Sequence, residues 1–488
     1  MTGNILDANK FDDLESFFYD VSEAILKDSC SLFAGAGSSR QYGFDDWNTL
    51  VIKTPHGNNG LNDVTQKAGY ASLKDNRFKT AIQKIIEETD IDVKNTHSYL
   101  YYLLNFDFKT IWTTNYDLII EKVLESKHHE FLSIYNYARF DQISYSKSNA
   151  IYKINGSVEE SDSIVITNND FIDYKRTHSA FIILLKRELI CRSFLFIGCS
   201  FDDDILRACL KDIQICFSES GVKSGIMPNH FAIIADNDPK LDFIAKDMAI
   251  NYGIHCLKTS NIEKSYICTD GISAYVRFNT IFISGAYRFE RGSDTEEAAK
   301  LFCIKLTDCF QSNNYRPYKI ITGLGNSIGH FISGSIKERC RYSHSKNVDR
   351  YLQMEPFPFT GPEESDRHRH NMIEKAGIVI FIYGNVSGDS DIKQTGMFKE
   401  YLIAKENKDT IIIPIPCGLN TVSNYIFDIE KDCEDSFASR FYQFLADFDP
   451  QNLNDNFFDA LFKKVNDISS GILKSKTGQI CNFLNESC

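Results

Sequence analysis

The chain has 488 residues, more than one ordinary core accommodates, so two domains of about two hundred residues or more are expected. Its 43% hydrophobic and 24% charged residues are those of a soluble globular protein, and the net charge of −13 argues against a general nucleic-acid binder. A basic-then-apolar leader, an apolar run of about eighteen residues and any CxxC pair among the 14 cysteines are all missing, which predicts a cytoplasmic protein with reduced thiols, no membrane span and no zinc ribbon.

In chain order, FDDLESFFYDVSEAILKDSC (11–30) carries apolar residues at helical spacing. SLFAGAGSS (31–39) reads as strand, glycine turn and helix start, and helices are expected within 63–90 and 96–105. FKTIWTTNYDLIIEKVLES (108–126) repeats strand, turn, helix, and AIYKINGS (150–157) is a third strand closing on a polar turn. A short strand and a capped helix are expected in SIVITNNDFIDYKR (163–176), then strand, turn and helix in CRSFLFIGCSFDDDILRACL (191–210), then strands at 230–236 and 252–259. A second unit opens near residue 277, with a strand and long helix followed by strand, glycine turn and helix in YKIITGLGNSIGHFISGSIKE (318–338). Strands at 350–359 and 377–385, a short helix at 366–376 between them, and a last clear strand at 410–418 complete it. Strands alternating with helices imply parallel sheets covered on both faces. The fold class is therefore α/β, with two doubly wound, Rossmann-like domains at 1–275 and 276–488.

Three strand ends carry small or amide residues. In AGAGS, Ala34, Gly35, Ala36, Gly37 and Ser38 suit a backbone that approaches a pyrophosphate, but a plain tight turn fits that stretch equally well. In TTNYD, Asn115 stands at the strand end, where its amide could bond a ribose hydroxyl or a carboxamide, and Asp117 could cap the next helix; capping alone also accounts for it. In FIGCSFDD, Gly198 and Ser200 again place small residues at a strand end, with Asp203 as a helix cap. Together they suit a site at the C-terminal edge of a parallel sheet.

GAGxS with Trp47 downstream, TTNYD, KINGS and FxGxSxxD, in that order, resemble the sirtuin-like domain of bacterial defence proteins over roughly residues 10–270. In the second unit, IFISGA (281–286), ITGLGNSIG (321–329), RHRHNMIEKAGIVIFIYGN (367–385) and GMFKEY (396–401) resemble a SLOG nucleotide-sensing domain. That layout is similar to the NAD+-hydrolysing effectors of Thoeris antiphage defence. The resemblance implies NAD+ as substrate, no metal, and activation by a cyclic ADP-ribose isomer made by a TIR-domain partner. It also implies a homo-oligomer, a tetramer or larger, with no membrane or nucleic-acid partner. By the same resemblance Ala34–Ser38, Thr114, Asp117, Gly198 and Ser200 bind the dinucleotide. Ser284, Gly285, Ala286, Gly323, Gly325, Arg369, Gly396 and Glu400 bind the signal. Where a relative of this kind has a signal-binding lysine just after YGN, this chain has Val386; either Lys393 substitutes from the same loop or the preferred signal differs. A solvated basic helix start is the plain alternative for RHRH.

The catalytic pair carried over is Asn115 and position 155. The family has histidine at 155; this chain has asparagine, with similar size and hydrogen-bonding capacity but no basicity. His97 begins a helix and reads as a cap or packing residue. A weakened or inactive NAD+ hydrolase is expected, and a catalytically silent nucleotide-binding module is the alternative. A sirtuin deacylase is disfavoured by the missing zinc cysteines.

Overall fold

The computed structural model describes residues 3–94, 96–144, 149–201, 203–219, 228–237, 240–311, 317–342, 347–358, 361–385, 392–450 and 453–486. The chain divides into two compact units, residues 1–272 with 477–488, and residues 273–476.

The first unit is built on eight strands: β1 (Ile5–Asp7), β2 (Cys30–Ala34), β3 (Thr110–Thr113), β4 (Phe131–Ile134), β5 (Asn149–Lys153), β6 (Ser193–Ile197), β7 (His230–Ala235) and β8 (Ile254–Thr259). They lie in the order β1-β8-β7-β6-β2-β3-β5-β4, and every pairing is parallel. β2, β3 and β6 are buried at every residue, which is why each reads as an almost unbroken apolar run. Leu32 sits opposite Ile111 on one side and Leu195 on the other. The chain builds outward from β2 through β3 and then returns to β2's other edge with β6. The four strand ends that carry the quoted turns, those of β6, β2, β3 and β5, are consecutive neighbours at this switch point, where such sheets open a crevice.

The second unit has β9 (Thr280–Ala286), β10 (Lys319–Thr322), β11 (Leu352–Met354), β12 (Ile378–Tyr383) and β13 (Ile411–Ile415), in the order β11-β10-β9-β12-β13, again all parallel. Both sheets have helices interleaved with their strands, so the doubly wound α/β class holds for both. Its core packs Phe282 and Phe381 from the sheet against Met372, Phe398 and Tyr401 from helices.

Several elements differ from the sequence reading. No strand forms at 163–166; Ile164, Val165 and Ile166 are buried but unpaired in a ladder, because Val165 N–H donates to Asn155 O instead and its carbonyl accepts from the Tyr116 hydroxyl. The strand expected at 350–359 shrinks to Leu352–Met354, since Pro356 and Pro358 have no N–H for a ladder; Phe359 lies outside the described residues. The helix expected at 366–376 starts earlier and spans Gly361–Glu374. Edge strands β1 and β4, and the helix Asp455–Asn485, had no counterpart in the sequence reading.

Candidate active site and signal site

At the end of β2 the chain turns sharply into the short helix Ala36–Arg40. Gly35 N–H donates to Ile197 O at 2.9 Å and Gly37 N–H to Gly198 O at 2.8 Å. A Cβ on Gly35 would lie 2.5 Å from Gly198 O, and one on Gly37 would lie 2.8 Å from Gly198 Cα. The glycines are thus required by backbone contact between this turn and the end of β6. Ala34 and Ser38 are buried, and the Ser38 hydroxyl folds back onto Gly35 O at 2.7 Å.

Asn115 follows β3 and is buried, as is Thr114. Its side-chain nitrogen donates to Gly35 O at 3.1 Å and to Ser39 Oγ at 2.8 Å, while its Oδ1 has no partner. Asp117, one place before the cap position Leu118, accepts from Ile119 N–H at the start of the next helix at 3.0 Å. Burial pushes the Asp117 carboxyl up; the Lys153 charge and hydrogen bonds from Ile119 and Ser39 oppose it. Lys153, the lysine of KINGS, is fully buried. It donates to Asp117 O and lies 3.1 Å from Glu121, which also accepts from Ser133 Oγ at 2.8 Å. This tie between the ends of β5 and β3 was missed from the sequence, where a lysine reads as solvent-facing.

Asn155 is fully buried, and neither its Oδ1 nor its Nδ2 is satisfied by a hydrogen bond of normal geometry. Its amide faces Asp203. Burial raises the Asp203 carboxyl, while cap bonds from Leu206 and Ile205 and the nearby Asn155 amide favour its charged form. Asp203 Oδ1 accepts from Ile205 N–H at 3.0 Å and Leu206 N–H at 2.9 Å. The sequence assigned Asp203 only the cap; its proximity to Asn155 is a property of the sheet order. Tyr174 donates to Ile154 O at 2.7 Å and Tyr116 to Val165 O at 2.8 Å, holding 164–166 against this turn.

An open cleft, about 430 Å³ counting the solvent at its mouth, is lined by Ala36, Ser39, Trp47, Asn115, Tyr116 and Asp117, among others. Trp47 stacks on Tyr116 with ring centres 5.8 Å apart. Asn155 is not among the lining residues, and Ser200 is exposed. His97 is exposed and stacks on Tyr102 and Tyr266, so it is a packing residue; the cap of its helix is Ser98. Among the described residues, no group of three or more His, Cys, Asp or Glu could hold a metal ion, and no helix is long and apolar enough to cross a membrane.

In the second unit, Ser284, Gly285 and Ala286 end β9 at the centre of the sheet. A Cβ on Gly325 would lie 2.4 Å from Gly285 O, so the glycine turn after β10 packs directly on this strand end. Gly323 leaves room for the Phe357 ring, over which the Arg369 guanidinium lies at 4.8 Å. Arg369 Nη1 donates to Asp366 at 2.7 Å. Its Nε is 3.6 Å from Glu400 Oε1, too far for a hydrogen bond, and has no partner. Gly396 packs against Arg369 Nη2. Glu400 is buried and accepts from the Ser284 hydroxyl; burial pushes its carboxyl up to about 7 against the opposing effects of Ser284 and Arg369. Lys393 is exposed on the turn Ile392–Gln394, and Val386 lies outside the described residues.

Residues 109–257 match a SIR2-like domain model, and residues 269–472 match the Sir2- and TIR-associating SLOG family. The chain is 27% identical over 477 residues to NAD(+) hydrolase ThsA of Enterococcus faecium, covering 92% of this chain and 97% of that one. It is 26% identical over 480 residues to NAD(+) hydrolase ThsA of Acinetobacter baumannii, covering 92% and 97%. It is 24% identical over 422 residues to NAD(+) hydrolase ThsA of Bacillus cereus, covering 82% and 86%. With a SIR2-like and a SLOG domain in this order, the chain is similar over most of its length to the NAD(+) hydrolases named ThsA.

Proposed function

We propose that the chain is an NAD+ hydrolase effector of Thoeris antiphage defence, gated by a cyclic ADP-ribose-type signal that a TIR-domain protein makes. The observation that carries this reading is Asn115 at the switch point, with its amide nitrogen fixed by Gly35 and Ser39 and its buried Oδ1 unpartnered beside an open cleft. A buried, unpartnered acceptor is costly unless a ligand satisfies it, and a ribose hydroxyl has the matching donor.

Cleaving the nicotinamide–ribose bond passes through an oxocarbenium-like state, as glycoside hydrolysis does. In this reading Asn115 orients the ribose. Ala34–Ser38, Thr114, Gly198 and Ser200 hold the dinucleotide, and Asp117 fixes the turn. Asn155 occupies the base position without supplying a base. In the second unit, Arg369 takes the diphosphate and Glu400 the ribose hydroxyls. Ser284–Ala286, Gly323, Gly325 and Gly396 form the close-fitting backbone, and Lys393 contributes from the adjoining turn. The active form is a cytoplasmic homo-oligomer, a tetramer or larger.

A silent nucleotide-binding module is the second reading, favoured by Asn155 itself. Nicotinamide release by the chain and by its Asn155→His form, with and without a cyclic ADP-ribose isomer, separates the two. Signal-dependent release by Asn155→His supports the hydrolase. A folded, NAD+-binding Asn155→His protein that stays inert with every isomer supports the silent module.

A further inference from the structure

Arg369 and Lys399 converge on one carboxylate. Arg369 Nη1 donates to Asp366 Oδ1 at 2.7 Å, while Lys399 Nζ lies 3.2 Å from that oxygen and 3.1 Å from Asp366 Oδ2. Asp366 and Arg369 belong to the helix Gly361–Glu374, and Lys399 to Gly396–Glu406. Two cations held this close repel unless an anion stands between them, and Asp366 is that anion. The hydrogen bond from Lys399 holds its carboxyl below the usual range, opposed by burial and aided by the charges of Lys399 and Arg369.

The arrangement is asymmetric in burial. Arg369 is 14% exposed and lies between the Phe357 ring and Gly396, with Nε turned toward Glu400. Asp366 is 44% exposed and Lys399 38%. An ion pair this open to solvent is held weakly, so Asp366 can be displaced while the more buried Arg369 stays fixed. A carboxylate and a phosphate both present paired oxygens to a guanidinium fork, and the phosphate carries more charge.

We propose that Asp366 stands where a phosphate of a diphosphate-bridged nucleotide binds, with Lys399 as the second cation of that site, so that ligand and Asp366 compete for the two cations. This rests on the reading of Arg369 as a signal-binding residue. It adds a binding residue that the sequence motifs do not single out, and a built-in competitor that sets the threshold for the signal.

Calorimetric titration of the full chain with cyclic ADP-ribose, ADP-ribose and inorganic pyrophosphate tests it. Lys399→Ala should weaken the probe that binds by about tenfold or more, the scale of one charge-assisted hydrogen bond. Asp366→Asn, which keeps the shape and removes the charge, should tighten binding several-fold. Adding Lys399→Ala to it should reverse most of that gain. Both residues are only partly buried, and thermal melts of each variant check that the fold is kept. If Arg369→Ala abolishes binding but Lys399→Ala leaves it unchanged, or Asp366→Asn does not tighten it, the competitor assignment is overturned and the Arg369 reading stands. If no probe binds, or Arg369→Ala also binds normally, both fall together.

Discussion

Asn115 and Gly35 are joined by a 3.1 Å hydrogen bond from the asparagine amide to the glycine carbonyl, across the seam between β3 and β2. The bond fixes which way the amide faces and leaves Oδ1 without a partner. Asn115→Ala removes donors to Gly35 O and Ser39 Oγ, a stability loss of about 1 kcal/mol or somewhat more. In the Asn155→His background it should also abolish NAD+ cleavage, because an unoriented ribose gives the base nothing to act on. Chemical denaturation and nicotinamide release measured on one preparation separate the two effects. Cleavage that survives Asn115→Ala would count against its orienting role.

Restoring histidine at 155 should raise signal-dependent cleavage by ~10²–10⁴-fold, the usual worth of a positioned general base. The gain should fade as pH drops and the imidazole becomes protonated. A pH–rate profile checks this. Full activity in the Asn155 chain would place the base elsewhere.

Gly37→Val should lower stability rather than selectively remove a phosphate contact. Its new Cβ would stand 2.8 Å from Gly198 Cα, a backbone atom that cannot swing aside. Overpacking of this kind costs roughly 1–3 kcal/mol. A melt as high as that of the unsubstituted chain would show that the turn can open.

Lys153→Met should destabilise the first unit by ~3–5 kcal/mol, because Glu121 is left charged and buried without its partner. Pairing it with Glu121→Leu should recover much of the loss. Denaturant midpoints of the single and double variants decide it, and a Lys153→Met protein as stable as the parent would refute the buried pair.

Glu400 supplies a pH dependence in the second unit. Its carboxyl is raised from 4.5 to about 7, so the folded state holds its proton more tightly than the unfolded chain. The resulting stability is complete below pH 4.5 and is lost as pH rises toward about 7, a change of roughly 3 kcal/mol. Glu400→Gln should flatten that part of the stability–pH curve. Parallel curves for the two proteins would remove the assignment.

The sequence made the sheet's centre readable and its margins obscure, for physical reasons. β2, β3 and β6 are buried on both faces and end in glycine or asparagine, so run and turn were both visible. β1 and β4, ILD and FLSI, are three- and four-residue edge strands too short to show a period, and they take shape by pairing with β8 and β5. The buried run 164–166 looked like a strand because burial, not pairing, set its composition. Asn115 and Asn155 stood out as amides at strand ends. The closeness of Asp203 to Asn155 and the role of Lys153 did not, because those partners come from distant parts of the chain.

The pairing of Cys30 with Ser193 has a bearing on how the protein is made. The glycine turn after β2 is closed on one side by Gly198, so a nascent chain still short of that residue has the turn and its Asn115 tie but lacks one wall. Loops this long close late. During synthesis the turn therefore takes its final shape only once β6 has left the ribosome.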